Sequence, residues 1–195
     1  MKSLQDRIRQ DGLALSETIL KVDSFLNHQV DPQLTMEIGQ AFAAAFADEP
    51  ITKVLTIEAS GIHFALATAV ALHVPFVYAK KKKAATQQAA YIADVHSYTR
   101  GETYQVSVDK KYLLPTDRVL IVDDFLATGD ALLGLKKIVE QSGAHLVGLG
   151  AVIEKSFQQG RGLLEKEGVR IHSLARIADM SPDHITFVEE NETVR

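Results

Sequence analysis

"VLIVDDFLATGDALLGL", Val119 to Leu135, sets two adjacent carboxylates and a threonine–glycine pair between a buried apolar run and a helix. Val119 to Val122 is a continuous apolar run of the kind a parallel sheet buries on both faces. Asp123 and Asp124 follow at its carboxyl end. Successive strand residues point to opposite faces, so the two carboxylates splay unless the chain curls there. A splayed pair of acceptors suits neighbouring hydroxyls, such as the diol of a sugar. Thr128, Gly129, Asp130 and Ala131 then lead into a helix, whose first backbone N–H groups have no partner inside it. Those groups form an anion site, and glycine lets a phosphate approach the backbone. Thr128 adds a hydroxyl donor. Diol acceptors a few residues before a phosphate cradle describe the two ends of a ribose 5-phosphate. A lone Asp-Asp would read more simply as a solvated pair before an ordinary cap. Strand, acidic pair and Thr-Gly together at this spacing favour the ligand.

Three other motifs fail on counting. Gly129 and Gly134 have the gap of a P-loop, but Leu135 stands where lysine is required. No G-x-G-x-x-G follows an expected strand. An acidic pair closing a strand also opens receiver domains, but there it lies near the domain start, and this one lies past the middle of the 195 residues.

Outward from this stretch the chain alternates strands and helices. Ser3 and Asp6 make a capping box for a first helix that Gly12 ends or bends. "LKVDSFLNHQVDP" has no clean period and reads as irregular. Asp31 and Pro32 start a helix as N-cap and first helical residue. Leu34, Ile38, Phe42, Ala45 and Phe46 continue it at helical spacing, and Asp48 to Pro50 stops it. "ITKVLTIEA" is a strand, "GIHFALATAVAL" a buried helix, and "VPFVYA" a strand. A polar stretch beginning at Lys80 to Lys83 leads to the alternating strand "ETYQVSVD". After "RVLIV" come a helix from about Asp130 to Gly143 and the strands "HLVGLGAVIE", "RIHSLARI" and "HITFVEE". This order predicts an α/β fold, one domain over 1–195, with a central, mainly parallel sheet flanked by helices. In such sheets ligands bind at the carboxyl ends of the strands. "DDFLATGD" falls there, and so does "IEASG". Ser60 and Gly61 offer backbone N–H groups to an anion at a second strand-to-helix turn, or make a plain N-cap serine. Two such turns in one sheet favour a ligand with two separate phosphate groups.

The composition sets limits. Hydrophobic residues make up 46% and charged residues 24%, as in ordinary globular proteins. The net charge of −4 argues against nucleic-acid binding as the main task. No cysteine is present, so no disulfide or thiolate metal site is expected, which fits a reducing cytosol. There is no apolar signal core at the N-terminus and no run long enough to span a bilayer. The expectation is a cytoplasmic protein with no membrane partner. His28, His63, His73, His96, His145, His172 and His184 show no metal-site spacing, and no protein-held metal is expected.

"VLIVDDFLATGDA" resembles the phosphoribosyl diphosphate motif of the type I phosphoribosyltransferases: a hydrophobic strand, two acidic residues, then Thr-Gly. "IEASG" resembles their diphosphate loop, and the stretch after "VPFVYA" their flexible hood. The likeness runs through nearly the whole chain. Within the family, "LKVDSFLNHQVDP" and "VIEKSFQQGR" look like the xanthine-using members. The common motif has a second hydroxyl residue where Ala131 stands, which removes one phosphate contact; the xanthine-using members are similar in carrying alanine there.

The resemblance implies transfer of a 5-phosphoribosyl group from phosphoribosyl diphosphate to xanthine, in purine salvage. Asp123 and Asp124 would be the catalytic pair, holding the ribose hydroxyls and facing positive charge developing on the sugar. Ala127, Thr128, Gly129, Asp130 and Ala131 would wrap the 5-phosphate, and Glu58, Ala59, Ser60 and Gly61 would line the diphosphate. Leu20 and Asn27 would close over the base. Mg²⁺ would arrive bound to substrate oxygens. Lys155, just past a strand end, has an ammonium suited to a purine carbonyl oxygen, although standing alone it would be a surface lysine. Phe157 stacks on the base or belongs to the core. Lys80 to Lys83 brings positive charge to the diphosphate or is a solvated loop. Family members often lend this loop to a neighbouring subunit, so a homodimer is expected. Two other functions fit the same fold. One is a purine-responsive regulator, disfavoured by the acidic balance and by a first sheet strand near Ile51. The other is transfer to adenine, guanine or hypoxanthine; Lys155 speaks against adenine, because an ammonium cannot accept from an exocyclic amine.

Overall fold

A computed structural model of the protein describes residues 1–81, 89–97, 101–182 and 184–189. Helix α1, Lys2–Asp11, ends at Gly12, whose N–H donates to the Ile8 carbonyl. The expected capping box is not formed: the N-cap is Met1, Ser3 reaches Glu37, and Asp6 pairs with Lys2 and Arg9. The Met1 ammonium instead docks on the Leu174 carbonyl at 2.5 Å, a tertiary anchor that sets the helix start. A two-residue pair, β1 (Leu13–Ala14) and β2 (Leu20–Lys21), and a π-helical turn, Asp23–Asn27, occupy much of the stretch read as irregular. Helix α2, Pro32–Ala45, starts as expected: the Asp31 carboxylate accepts from the Leu34 N–H with proline in the first turn. It stops three residues before Asp48, with Phe46 as C-cap.

Strand β3 (Lys53–Ile57), helix α3 (Ile62–Leu72) and strand β4 (Phe76–Ala79) follow. The polar stretch contains a strand that its composition hides. β5 (Ala90–Ser97) pairs antiparallel with β6 (Glu102–Asp109) as a two-stranded ribbon. Gln141 holds the ribbon, donating to the Ile92 carbonyl and accepting from its N–H. Then come β7 (Arg118–Leu126), α4 (Asp130–Ser142), β8 (His145–Lys155), α5 (Gly160–Lys166), β9 (Ile171–Ser181) and β10 (His184–Phe187). Helix α5 has no counterpart in the expected order.

Among the described residues the main sheet has six strands in the order β10-β9-β8-β7-β3-β4, parallel except for β10 against β9. The fold is therefore α/β with a mainly parallel sheet. Alternation along each strand divides the core. Val54, Leu120 and Val122 pack on one face with Phe42 of α2 and Phe64 of α3. Leu55, Val119 and Ile121 pack on the other with Leu132 and Leu135 of α4. Gly148 and Gly150 in β8 make room for rings: a Cβ at Gly150 would lie 2.7 Å from Phe42. The chain leaves β3 toward β4 and leaves β7 in the opposite direction toward β8. The two central strands, β3 and β7, are thus a topological switch point, and their carboxyl ends open one crevice.

Candidate active site

Both strand-to-helix turns singled out in the sequence empty into that crevice. Strand β7 runs on through the acidic pair to Leu126, so Asp123 and Asp124 sit within the strand and not past its end. Asp123 is 5% exposed. The two side chains do not splay as expected. Asp124 folds forward, accepting the Phe125 N–H at 3.0 Å, and lies close enough to Asp123 for each carboxyl to act on the other. Burial, and then the charge of Asp124, push the Asp123 carboxyl well above the usual carboxylate range; the charge of Lys81 opposes this. Burial also raises Asp124, against the pull of hydrogen bonds from the Phe125 N–H, Asp123, Ser60 and Asn27. Two buried carboxyls side by side resist double ionisation, which makes this corner receptive to positive charge.

The turn after β3 packs against the pair. Ser60 is near enough to Asp124 to lower its pKa, and Gly61 takes the N-cap position of α3 without a side-chain cap bond. A Cβ at Gly61 would lie 2.6 Å from Asp123 Oδ1 and 2.1 Å from Thr56 Oγ1, so only glycine fits. The Glu58–Ala59 peptide is cis. The Glu58 carboxylate accepts the Lys81 N–H at 2.6 Å, and the Ala59 carbonyl accepts from Ile62. Of the lysine block, Lys80 bridges to Ser107 and Lys81 sets its ammonium 5.5 Å from the Tyr104 ring centroid. Lys82 and Lys83 lie outside the described residues.

On the other side, Gly129 has φ 89°, a left-handed conformation that favours glycine, and is the N-cap of α4. Ala127 to Ala131 curl beneath it. Asp130 begins the helix, and its Oδ2 is buried without a hydrogen-bond partner among the described residues. Thr128, Asp130 and Ala131 line a cleft of about 470 Å³ whose far wall includes Lys155.

Lys155 ends β8 with its ammonium 5.1 Å from the Phe125 ring centroid and 2.6 Å from the Thr18 carbonyl, to which it donates. Burial lowers its pKa, opposed by the charge of Asp124. Asn27 Nδ2 donates to Asp124 Oδ2 at 3.2 Å, which brings the N-terminal segment to the pair. Leu20 is 8% exposed and belongs to the core. Phe157 is 40% exposed on the turn after β8, so it is not a core residue. Thr18 and Ile19, between β1 and β2, and His96 and Tyr104 of the ribbon also line the cleft. The sequence singled out none of these four for the site. His63, beside Phe64, feels the Asp124 charge, while burial holds its pKa down. Among the described residues no three His, Asp or Glu side chains gather as a metal site.

An acidic pair at a switch point between two glycine turns is an arrangement for a sugar carrying phosphate at both ends. The model of the phosphoribosyl transferase domain matches residues 27–178. The chain belongs to the phosphoribosyltransferase family. This phosphoribosyltransferase is 71% identical over 191 residues to the xanthine phosphoribosyltransferase of Brevibacillus brevis, covering 97% of each chain. It is 52% identical to that of an Exiguobacterium species, over 97% of this chain and 98% of the relative. A solved adenine phosphoribosyltransferase from Rhodothermus marinus superposes with a TM-score of 0.75 at 25% identity, over 90% of this chain and 99% of that one. Another, from Thermoanaerobacter pseudethanolicus, gives 0.67 at 27% identity, over 75% and 82%.

Proposed function

We infer that this phosphoribosyltransferase makes xanthosine 5′-monophosphate and diphosphate from xanthine and phosphoribosyl diphosphate. The observation that carries this is the closeness of Asp123 to the turn at Gly61, beside a cleft lined by Thr128, Asp130, Ala131 and Lys155. The backbone N–H groups of Ala127 to Ala131 and the Thr128 hydroxyl take the 5-phosphate. Glu58 to Gly61 line the diphosphate, with Lys81 beside them. The bond from the anomeric carbon to the diphosphate oxygen breaks ahead of the bond to a ring nitrogen of the base, which gives up its proton to water or the departing diphosphate. Positive charge builds on the ribose between those events, and Asp123 and Asp124 face it while accepting from the ribose hydroxyls. The residues position and stabilise; none need form a covalent bond. Mg²⁺ bound to diphosphate oxygens would neutralise the leaving group, and a buried pair of carboxyls that resists double ionisation fits a cation nearby.

Lys155 selects an oxo purine. Its ammonium exchanges the Thr18 carbonyl for a carbonyl oxygen of the base, while Asn27 offers both a donor and an acceptor. The neighbouring folds act on adenine, but an ammonium in this place cannot accept from adenine's amino group. The test is a panel of xanthine, guanine, hypoxanthine and adenine with phosphoribosyl diphosphate and Mg²⁺. Xanthine is expected to have the highest kcat/KM; preference for adenine would overturn the assignment. Lys155→Met should raise the KM for xanthine roughly ten- to a hundredfold, since a hydrogen bond to a charged group is worth ~1.5–3 kcal/mol. The KM for phosphoribosyl diphosphate should stay nearly constant.

A single phosphoribosyltransferase domain acting as a homodimer in the cytoplasm completes this picture. Leu66 and Val70, one turn apart on α3, are half exposed, an apolar pair suited to a subunit contact. Sedimentation equilibrium is expected to give twice the chain mass, and a monomer at micromolar concentration would remove this part. Among the described residues no helix is long and apolar enough to cross a membrane. The chain has no cysteine to protect from or commit to oxidation.

A further inference from the structure

Glu154, one residue before Lys155, is 1% exposed, and the reaction as described above makes no use of it. Its Oε1 accepts from Arg161 Nε at 2.8 Å and from Ser156 Oγ at 2.6 Å. Its Oε2 accepts from Arg161 Nη2 at 2.6 Å and from Ser173 Oγ at 2.5 Å, and Arg176 Nε stands 3.3 Å from Oε1. Burial pushes this carboxyl up, but the hydrogen bonds of Arg161, Ser156 and Ser173 and the Arg161 charge outweigh it and hold the group at about 2.

A buried ion pair contributes little net stability compared with a well-packed apolar core, so its location is the informative feature. Two of the partners, Ser156 and Arg161, bracket the turn between β8 and α5. Inside that turn the Gln158 N–H donates to the Lys155 carbonyl at 2.9 Å. At its far end the Gly160 N–H donates to the Ala127 carbonyl at 3.0 Å. Gly160 lies so close to the Ala127–Gly129 loop that a Cβ there would stand 2.4 Å from the Ala127 carbonyl and 2.8 Å from the Gly129 nitrogen. One turn thus carries Lys155 at one end and backs the phosphate loop at the other.

We propose that Glu154 is a positioning residue which, through the Arg161 fork and the Ser156 hydroxyl, sets Lys155 against the base and Gly160 against the phosphate loop together. The proposal rests on Lys155 being the base donor. Ser173 and Arg176, on β9, grip the same carboxylate from outside the turn, which allows fold integrity and positioning to be separated.

The experiment measures the KM for xanthine, the KM for phosphoribosyl diphosphate, kcat and the melting temperature of wild type, Glu154→Gln, Arg161→Lys and Ser173→Ala. Glu154→Gln keeps the shape and removes the charge; Arg161→Lys keeps the charge and removes the fork. Both are expected to raise the two KM values together, each by about tenfold, because an ångström-scale misplacement of a substrate-positioning group carries penalties up to about a hundredfold. Ser173→Ala is expected to lower the melting temperature with both KM values unchanged. If wild type does not use xanthine, the functional reading fails first. If wild type uses xanthine, and Glu154→Gln and Arg161→Lys melt earlier but keep both KM values, Glu154 is structural only and the proposal is overturned. Ser173→Ala raising the KM values as much as Arg161→Lys would overturn it as well. Should Glu154→Gln not fold, Arg161→Lys carries the same expectations.

Discussion

Asp123→Asn is expected to lower kcat by at least about a hundredfold and, at neutral pH, to raise the melting temperature. The loss follows from removing one of two carboxyls whose shared negative charge faces positive charge developing on the ribose; single preorganised electrostatic groups of this kind are worth about 10²–10³ in rate. The gain follows from the sign of the titration. Burial, reinforced by Asp124, sets the folded pKa of Asp123 well above its unfolded value. Between those two values the folded chain holds a proton that the unfolded chain has released. The stability contributed by the group is full below the unfolded value, near 3.9, and is lost as pH rises through the folded one. At neutral pH the wild-type chain carries that loss, and the amide does not. The difference in melting temperature between Asp123→Asn and wild type should widen from about pH 4 upward. A variant that is active, or one that is less stable than wild type at neutral pH, would contradict the buried, mutually repelling pair.

Most of the main sheet was legible because its strands are apolar without interruption and its helices carry their own stops. Asp31–Pro32 opens α2 and Gly143 closes α4 in left-handed geometry, both through local chemistry that needs no tertiary partner. The errors lie where a partner decides. Ala90–Ser97 is a strand because Glu102–Asp109 lies beside it and α4 beneath it, with Gly134 leaving space for Val95. Helix α5 is seven residues with two glycines, and it is held by the fork of Arg161 on Glu154. The Ser3–Asp6 box lost to the Met1 ammonium on Leu174, a contact between the first residue and strand β9.

The site divides the same way. Gly61 and Gly129 stand at strand-to-helix turns and Asp123 and Asp124 near the end of a buried strand, and periodicity alone locates those. Thr18 and Ile19 lie between two-residue strands that have no period, so the sequence offered nothing to read there. Resemblance alone points Leu20 toward the base, and its burial in the core comes with β2, a two-residue strand that has no period to read. Glu154 did leave a mark: a carboxylate closing the apolar run "GLGAVIE" has to be paired if it is buried. The identity of its partners was not legible, since Arg161 and Ser173 reach it from two different elements.

Gly61→Ala should be severely damaging, with kcat/KM falling by about a hundredfold or more, the scale of a ~1 Å misplacement at the chemistry. Gly61 has φ −75° and ψ −16°, which alanine adopts without strain, and at an N-cap the exchange of glycine for alanine is a modest matter. The damage is steric. The new Cβ would lie 2.1 Å from Thr56 Oγ1 and 2.6 Å from Asp123 Oδ1, far inside contact distance. Thr56 is fully buried in β3 and has no room to retreat, so Asp123 or the Glu58–Gly61 loop must move, and overpacking of this kind also costs about 1–3 kcal/mol of stability. Thr56 Oγ1 has no hydrogen-bond partner among the described residues, so truncating it sacrifices no bond. Thr56→Ala alone should therefore be nearly neutral, while Thr56→Ala combined with Gly61→Ala should recover a large part of the lost kcat/KM. A double-mutant cycle measures that coupling directly. Additive effects would mean that the methyl does its harm elsewhere, and an active Gly61→Ala would mean that the turn does not press on Asp123 at all.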